Sequence, residues 1–313
     1  MNRFEYASPK TAAEAVGLLG EGAVAKAGGT DLVARMKDRL TSPAKLINLL
    51  NVKDLRTITS EGALKAGALV TLAELAADAG AKKGFAALAT AAGEAATPQI
   101  RNVATVGGNL CQRPRCWYYR NEEFDCLKRG GKTCPAQEGE NQYHAIFATT
   151  PCCAVQTSNL APALIALDGK ITIRGKGGER AVTAAEFYAV DDVKRETILA
   201  ENEIVTGIEA AAGWRSAYYE VRERQSFDWP LVSVAVAVKG DGKVTEARIV
   251  IGAVAPKPWR VEAAEKALVG ASPKEAAEKV AAAAVAGAKP LSKNGYKVTI
   301  AKAAVMRALN ALV

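Results

Sequence analysis

The chain has a single histidine, His144, among its 313 residues. Alone it cannot make a Ser-His-Asp system or a metal–histidine centre. HExxH and GxSxG are both missing, which removes most hydrolase readings. No stretch of about eighteen apolar residues runs without a charge or a turn residue, so no membrane-spanning helix is expected. Blocks of like charge are missing too. The formal net charge of +8 is spread along the chain, and aromatics do not interleave with a basic stripe as single-strand binders require. No nucleic-acid partner is expected. The opening MNRFEYASPKTAAEAV carries Glu5 and no apolar core, so it does not read as a secretory signal, and the expectation is a cytoplasmic chain.

With 49% hydrophobic and 24% charged residues the composition is globular, and the length suits two or three domains. Residues 1–56 read as a small α/β unit. Ser8-Pro9 with Thr11 and Glu14 starts a helix, a strand covers 23–27, Gly28-Gly29 turn the chain, a helix-like segment covers 31–40, and KLINLL (45–50) is a buried strand. Residues 57–214 form a second unit, with strand, turn and helix over 64–75 and an alanine-rich helix over 84–96. Within it, residues 111–140 lack periodicity and read as a loop wrapped around something. ALIAL-DG-KITIR (163–174) reads as a hairpin with a type I′ turn at Asp168-Gly169. Residues 215–313 form an α+β unit. Its strands cover 230–238 and 245–254, a helix is capped by Ser272-Pro273, and an amphipathic helix carrying Ile300, Val305 and Leu309 follows.

The irregular segment carries four of the six cysteines, Cys111, Cys116, Cys126 and Cys134, spaced C-x4-C-x9-C-x7-C. Thiolates are soft ligands, and four in one segment can close around a soft metal centre. Zinc ribbons and fingers bring ligands as tight pairs, which are missing among these four. A 4Fe–4S cubane takes four cysteines on uneven loops, so the spacing favours iron–sulfur. Structural zinc, accidental disulfides or buried thiols are the alternatives. Clustered cysteines in an unexported chain point to metal rather than disulfides. The adjacent Cys152 and Cys153 read as a buried or bystander pair, with a helper role near the cluster as the alternative.

Two glycine motifs point to an anion. In KAGGTDL (26–32), two glycines after a short strand free the backbone to approach a ligand, and Thr30 adds a hydroxyl. TVGGNL (105–110) repeats that chemistry. Neither is GxGxxG nor GxxxxGK[ST], which excludes the Rossmann and P-loop readings. Together they read as a clamp for a dinucleotide diphosphate, with two structural turns as the alternative.

AGGTDL (27–32), TVGGNL (105–110) and YYEVRERQSFDWPLVSVAVAV (218–238) together resemble the FAD-binding subunit of the xanthine dehydrogenase family of molybdenum hydroxylases, over nearly the whole chain. The insert CQRPRCWYYRNEEFDC (111–126) with GGKTCPAQEGENQYHAIF (130–147) resembles the medium subunit of periplasmic aldehyde oxidoreductases of the PaoABC type, which carries a 4Fe–4S cluster besides FAD. Carbon monoxide dehydrogenase flavoprotein subunits share the glycine motifs without the insert. The 4-hydroxybenzoyl-CoA reductase flavoprotein subunit has such an insert at another position.

The resemblance implies an α+β chain: a vanillyl-alcohol-oxidase (PCMH) type FAD-binding domain of two α/β lobes, and a C-terminal α+β domain of the CO dehydrogenase flavoprotein type. It implies FAD contacts at Lys26, Ala27, Gly28, Gly29, Thr30, Asp31 and Leu32, at Thr105, Gly107, Gly108 and Asn109, and at Ser158 and Asn159. It implies a 4Fe–4S cluster on Cys111, Cys116, Cys126 and Cys134. The implied partners are a small 2Fe–2S subunit, a large molybdenum-cofactor subunit and an external electron acceptor, with no catalytic residue on this chain. Complexes of this kind are exported folded by a signal on the small subunit, which makes a periplasmic location the alternative. Two departures stand out. Asn159 replaces an aspartate that contacts the flavin nucleotide, and Asn159→Asp is expected to be tolerated. Glu220 replaces a lysine in a Lys-Val-Arg-x-Arg run.

Overall fold

Three β-sheets organise the chain in the computed structural model, which describes residues 1–224 and 226–312. Gln225, inside the 218–238 motif, and Val313 lie outside the described residues. The first sheet holds β1 (Glu5–Ala7), β2 (Ala23–Lys26) and β3 (Lys45–Asn48) in the order β1-β3-β2, all parallel. Parallel strands need crossovers. Here they are the helices Ala12–Leu18 and Leu32–Lys37. The first helix starts where Thr11 Oγ1 accepts from the Glu14 amide at 3.1 Å, the cap that the sequence predicts.

The second sheet is antiparallel. It comprises β4 (Ile58–Thr59), β5 (Leu64–Gly67), β6 (Lys170–Gly175), β7 (Gly178–Thr183) and β8 (Ile204–Ala210), in the order β4-β5-β8-β6-β7. The alanine-rich helix forms over Ala86–Glu94 and buries Ala87, Leu88, Ala91 and Ala92 in the core under this sheet. The segment 163–174 is not a hairpin. It is the end of the helix Leu160–Ala166 followed by β6. Asp168 is left-handed (φ +49°), its amide bonds Ile165 O, and the Gly169 amide reaches back to Leu164 O at 2.8 Å. That is a Schellman ending. An Asp-Gly pair serves a left-handed helix stop as well as a type I′ turn, and local sequence alone does not separate the two.

The third sheet, order β12-β11-β10-β9, is built from β9 (Arg215–Val221), β10 (Val232–Lys239), β11 (Glu246–Gly252) and β12 (Trp259–Arg260). Along β10, Ala235 and Ala237 point into the core of the second sheet, while Val234, Val236 and Val238 face the C-terminal helices Pro273–Val285 and Tyr296–Asn310. Both faces of the strand are covered, which is why VSVAVAV reads as one continuous apolar run. Among the described residues no helix is long and apolar enough to cross a membrane.

Candidate functional site: a glycine-lined groove beside a thiol cluster

β2 delivers the first glycine motif. Gly29 sits at φ +79°, a conformation that disfavours any Cβ. Gly28 is needed for a different reason: a Cβ there would fall 2.0 Å from Val103 O. The first turn therefore packs directly on the chain that leads into the second. TVGGNL is not an open turn but a short helix, Val106–Leu110, capped by Thr105 Oγ1 accepting from the Gly108 amide at 3.1 Å. The amides of Val106 and Gly107 bond Val70 O and Ala68 O, and a Cβ on Gly107 would press on Ala68 at 2.9 Å. Gly28 and Gly107 thus serve packing between segments. Gly29 and Gly108 line a groove.

That groove, about 390 Å³, runs past Lys26 through Leu32 on one side and Thr105, Gly108 and Gln112 on the other. It shares Thr30, Asp31, Ala104, Gly108 and Gln112 with a second hollow of about 270 Å³ that reaches Asn109, Asn159, Phe227 and Trp229. Gly107 and Ser158 support it from behind. The Ser158 hydroxyl donates to Asn109 Oδ1 at 2.6 Å and accepts from the Ala161 amide at 3.1 Å. The same Asn109 oxygen takes the Leu160 amide. Lys26 donates to Ala27 O at 3.0 Å, and burial lowers its pKa.

Asp31 is a hub that sequence reasoning misses, because its partners come from the insert. Its carboxylate accepts from Arg120 Nη2 at 2.6 Å and pairs with Arg115 at 3.1 Å and Arg35 at 3.8 Å, and its Oδ2 takes the backbone amide of Arg113. One carboxylate against three guanidinium groups leaves net positive charge beside the glycine turns. Arg35 Nε and Arg115 Nε are buried without a partner, and both residues line the hollows. Arg115 also lies over the Trp229 ring at 4.7 Å. A two-sided cradle with unpaired cationic donors fits a diphosphate-bearing ligand.

The six cysteines divide into two groups. Cys111 ends the helix Val106–Leu110, lines the glycine groove and packs on the core of the second sheet. Burial alone pushes its pKa up to about 12. Cys116 and Cys134 instead flank a separate small core that contains Cys153, Tyr118, Ala136 and Ala145. Cys134 Sγ lies 3.7 Å from Cys153 Sγ. Burial raises Cys116 to about 11, and the charges of Cys126 and Cys134 act on it as well. Donation from Cys152 and Cys153 holds Cys134 far below the usual thiol range and pushes those two up. Cys111 lies at the groove, while Cys153, outside the quartet expected from spacing, packs with Cys116 and Cys134 around the small core. The reason lies in the backbone: the helix holds Cys111 back, while the bond from the Ala145 amide to Cys153 O at 2.8 Å returns the later pair to the insert. Among the described residues no three His, Cys, Asp or Glu side chains converge closely enough to hold a single metal ion.

The insert is pinned from three sides. Lys128, with Glu196, ties it to the loop before β8 at 2.6 Å. Asn141 accepts from the Lys293 amide at 2.9 Å. Lys297, buried without a carboxylate, donates to the carbonyls of Tyr143, His144 and Ala253.

Residues 2–210 match the FAD-binding domain of molybdopterin dehydrogenases, and residues 217–312 match the CO dehydrogenase flavoprotein C-terminal domain. The chain is 36% identical to the aldehyde oxidoreductase FAD-binding subunit PaoB of Escherichia coli K12, with 96% of each chain covered. It is 31% identical to the carbon monoxide dehydrogenase medium chain of Hydrogenophaga pseudoflava, covering 99% of this chain and 96% of that one. A solved structure of the Hydrogenophaga pseudoflava carbon monoxide dehydrogenase superposes with a TM-score of 0.78 at 30% identity, over 99% of this chain and 97% of that one. The mixed helix-and-strand architecture, the two matched domains and the groove between the glycine turns agree: the chain belongs to the FAD-binding subunits of the molybdenum hydroxylase family.

Proposed function

We propose that this chain is the electron-transferring FAD and 4Fe–4S subunit of a heterotrimeric molybdenum-dependent aldehyde oxidoreductase. The observation that carries the reading is the groove lined by both glycine turns, with Arg35 along it and Arg115 along the adjoining hollow, the Nε atom of each without a partner among the described residues. Lys26 to Leu32 with Thr105 and Gly108 hold the FAD diphosphate, with Asn109 and Asn159 at the far hollow. When bound, FAD supplies the redox chemistry, and the protein supplies position and electrostatics.

For the cluster, the donor set is Cys116, Cys126, Cys134 and Cys153. Several thiols buried side by side are costly as thiolates unless a metal shares their charge. A single zinc needs four ligands drawn within about 2.3 Å of one point, and no such convergence exists among the described residues. An all-thiol donor set is the soft-ligand chemistry that an iron–sulfur cluster takes.

The substrate is oxidised on a partner chain that carries molybdenum, a small 2Fe–2S subunit feeds electrons to this one, and an external acceptor drains them. The test is purification of the complex from its host. Three chains, with about one acid-releasable FAD per copy of this chain and a broad iron–sulfur absorption under the flavin bands, are expected. A colourless monomer that binds no FAD would overturn the reading.

A further inference from the structure

His144 is the one histidine of the chain, and its ring is fixed on the thiol cluster rather than on the groove. Nε2 lies 3.2 Å from Cys116 Sγ. The residue is 3% exposed. Trp117 meets the ring edge-on at 5.4 Å, and Tyr118 lies tilted at 6.1 Å. The backbone is held as firmly: the His144 amide bonds Asn141 O, and its carbonyl accepts from Asn294 Nδ2 at 3.2 Å and Lys297 Nζ at 3.0 Å. Among the described residues Nδ1 is buried with no partner, and the ring's one polar contact is the one to sulfur.

A cysteine that ligates a metal has lost its proton, so the hydrogen between these two atoms has to sit on the imidazole. We infer that His144 is a positioning and tuning residue for the cluster: Nε2–H donates to Sγ of Cys116, orients that ligand and holds the cluster's reduction potential up. The inference rests on the cluster reading above. The physics is electrostatic. Reduction adds negative charge to the cluster and its sulfurs. A hydrogen-bond donor fixed on one of those sulfurs stabilises the reduced state more than the oxidised one. The same donation holds the imidazole as the Nε2–H tautomer and leaves Nδ1 as a bare lone pair. That is the cheaper orphan, since an unpaired N–H is the rarer sight in buried positions.

The experiment is a redox titration of the purified complex, followed by low-temperature EPR, on wild type, His144→Phe and His144→Gln. Phenylalanine keeps the packing on Trp117 and Tyr118 and removes the donor. Glutamine can place an amide N–H near the position of Nε2. The expected result is a cluster potential shifted to more negative values in His144→Phe, at unchanged labile sulfide, and restored toward wild type in His144→Gln. Equal potentials in wild type and His144→Phe would overturn the role of His144 while leaving the cluster in place. So would equal shifts in both variants. If His144→Phe does not fold, the potential of His144→Gln decides alone: near wild type supports the donor, and a clear negative shift overturns it. Wild-type protein without labile sulfide would remove the cluster reading itself, and this inference with it.

Discussion

Asn159 Nδ2 donates to Glu220 Oε2 across 2.9 Å, joining the two positions at which the resemblance implies an aspartate and a lysine. The Tyr218 hydroxyl donates to the same oxygen at 2.8 Å, and Arg222 holds the other. Burial, first among several influences, raises the pKa of Glu220. An aspartate with a lysine gives way here to an amide donor with a carboxylate acceptor. These contacts predict that restoring the aspartate alone is harmful, whereas the resemblance led to the expectation that it is tolerated. Asn159→Asp would set two carboxylates against each other in a buried site. We expect a loss of about 1–3 kcal/mol in stability and weaker FAD retention, milder at low pH where the pair shares a proton. The double change Asn159→Asp/Glu220→Lys should recover both. Thermal melts and FAD content of wild type and the two variants measure this.

The glycines separate into two classes with different readouts. Gly28→Ala forces a Cβ onto Val103 O and should lower the melting temperature whether or not FAD is present. At Gly108 the added Cβ meets only Thr105 Oγ1, at 3.0 Å, and it faces the groove. Gly108→Val should fold and lose FAD. Gly29→Val combines both effects because of its positive φ. Full flavin occupancy in Gly108→Val would contradict the cradle.

Asp31 couples the groove to the insert, since Arg115 and Arg120 both belong to the insert and both meet its carboxylate. Asp31→Asn leaves three guanidiniums without their counter-charge, at a cost of about 3 kcal/mol. Limited proteolysis should then cut within 111–140 sooner than in wild type. Unchanged proteolysis would mean the insert holds its place without Asp31.

Lys297 sets a pH dependence. Burial lowers its ammonium to about 7 against 10.5 for a free lysine, although three carbonyl acceptors oppose that fall. Between these values the unfolded chain binds the extra proton, so stability rises with pH across the window, by up to about 1.4 kcal/mol per unit. Below the folded pKa both states are protonated, and the slope vanishes. Lys297→Met should flatten the curve. Chemical denaturation at several pH values from 7 upward tests it.

What the sequence discloses is what acts locally. Thr11 and Ser272 cap the helices that follow them as the sequence suggests, because a cap needs only the residue three positions on. The glycine motifs are legible for the same reason. Asp168-Gly169 misleads because its left-handed geometry is shared by two kinds of turn. Spacing alone does not say where the helix Val106–Leu110 carries Cys111, nor that Cys153 comes to lie beside Cys134. The bonds of Arg115 and Arg120 to Asp31 and of Asn159 to Glu220 join residues more than sixty apart in the chain and leave no local signal.

The most direct test of the account is iron and acid-labile sulfide per chain in Cys153→Ser and Cys111→Ser, each beside wild type. The proposed ligand set of Cys116, Cys126, Cys134 and Cys153 predicts full iron and sulfide in Cys111→Ser and loss of both in Cys153→Ser. Loss in Cys111→Ser with retention in Cys153→Ser would contradict it and return the ligand set to the four cysteines of the insert.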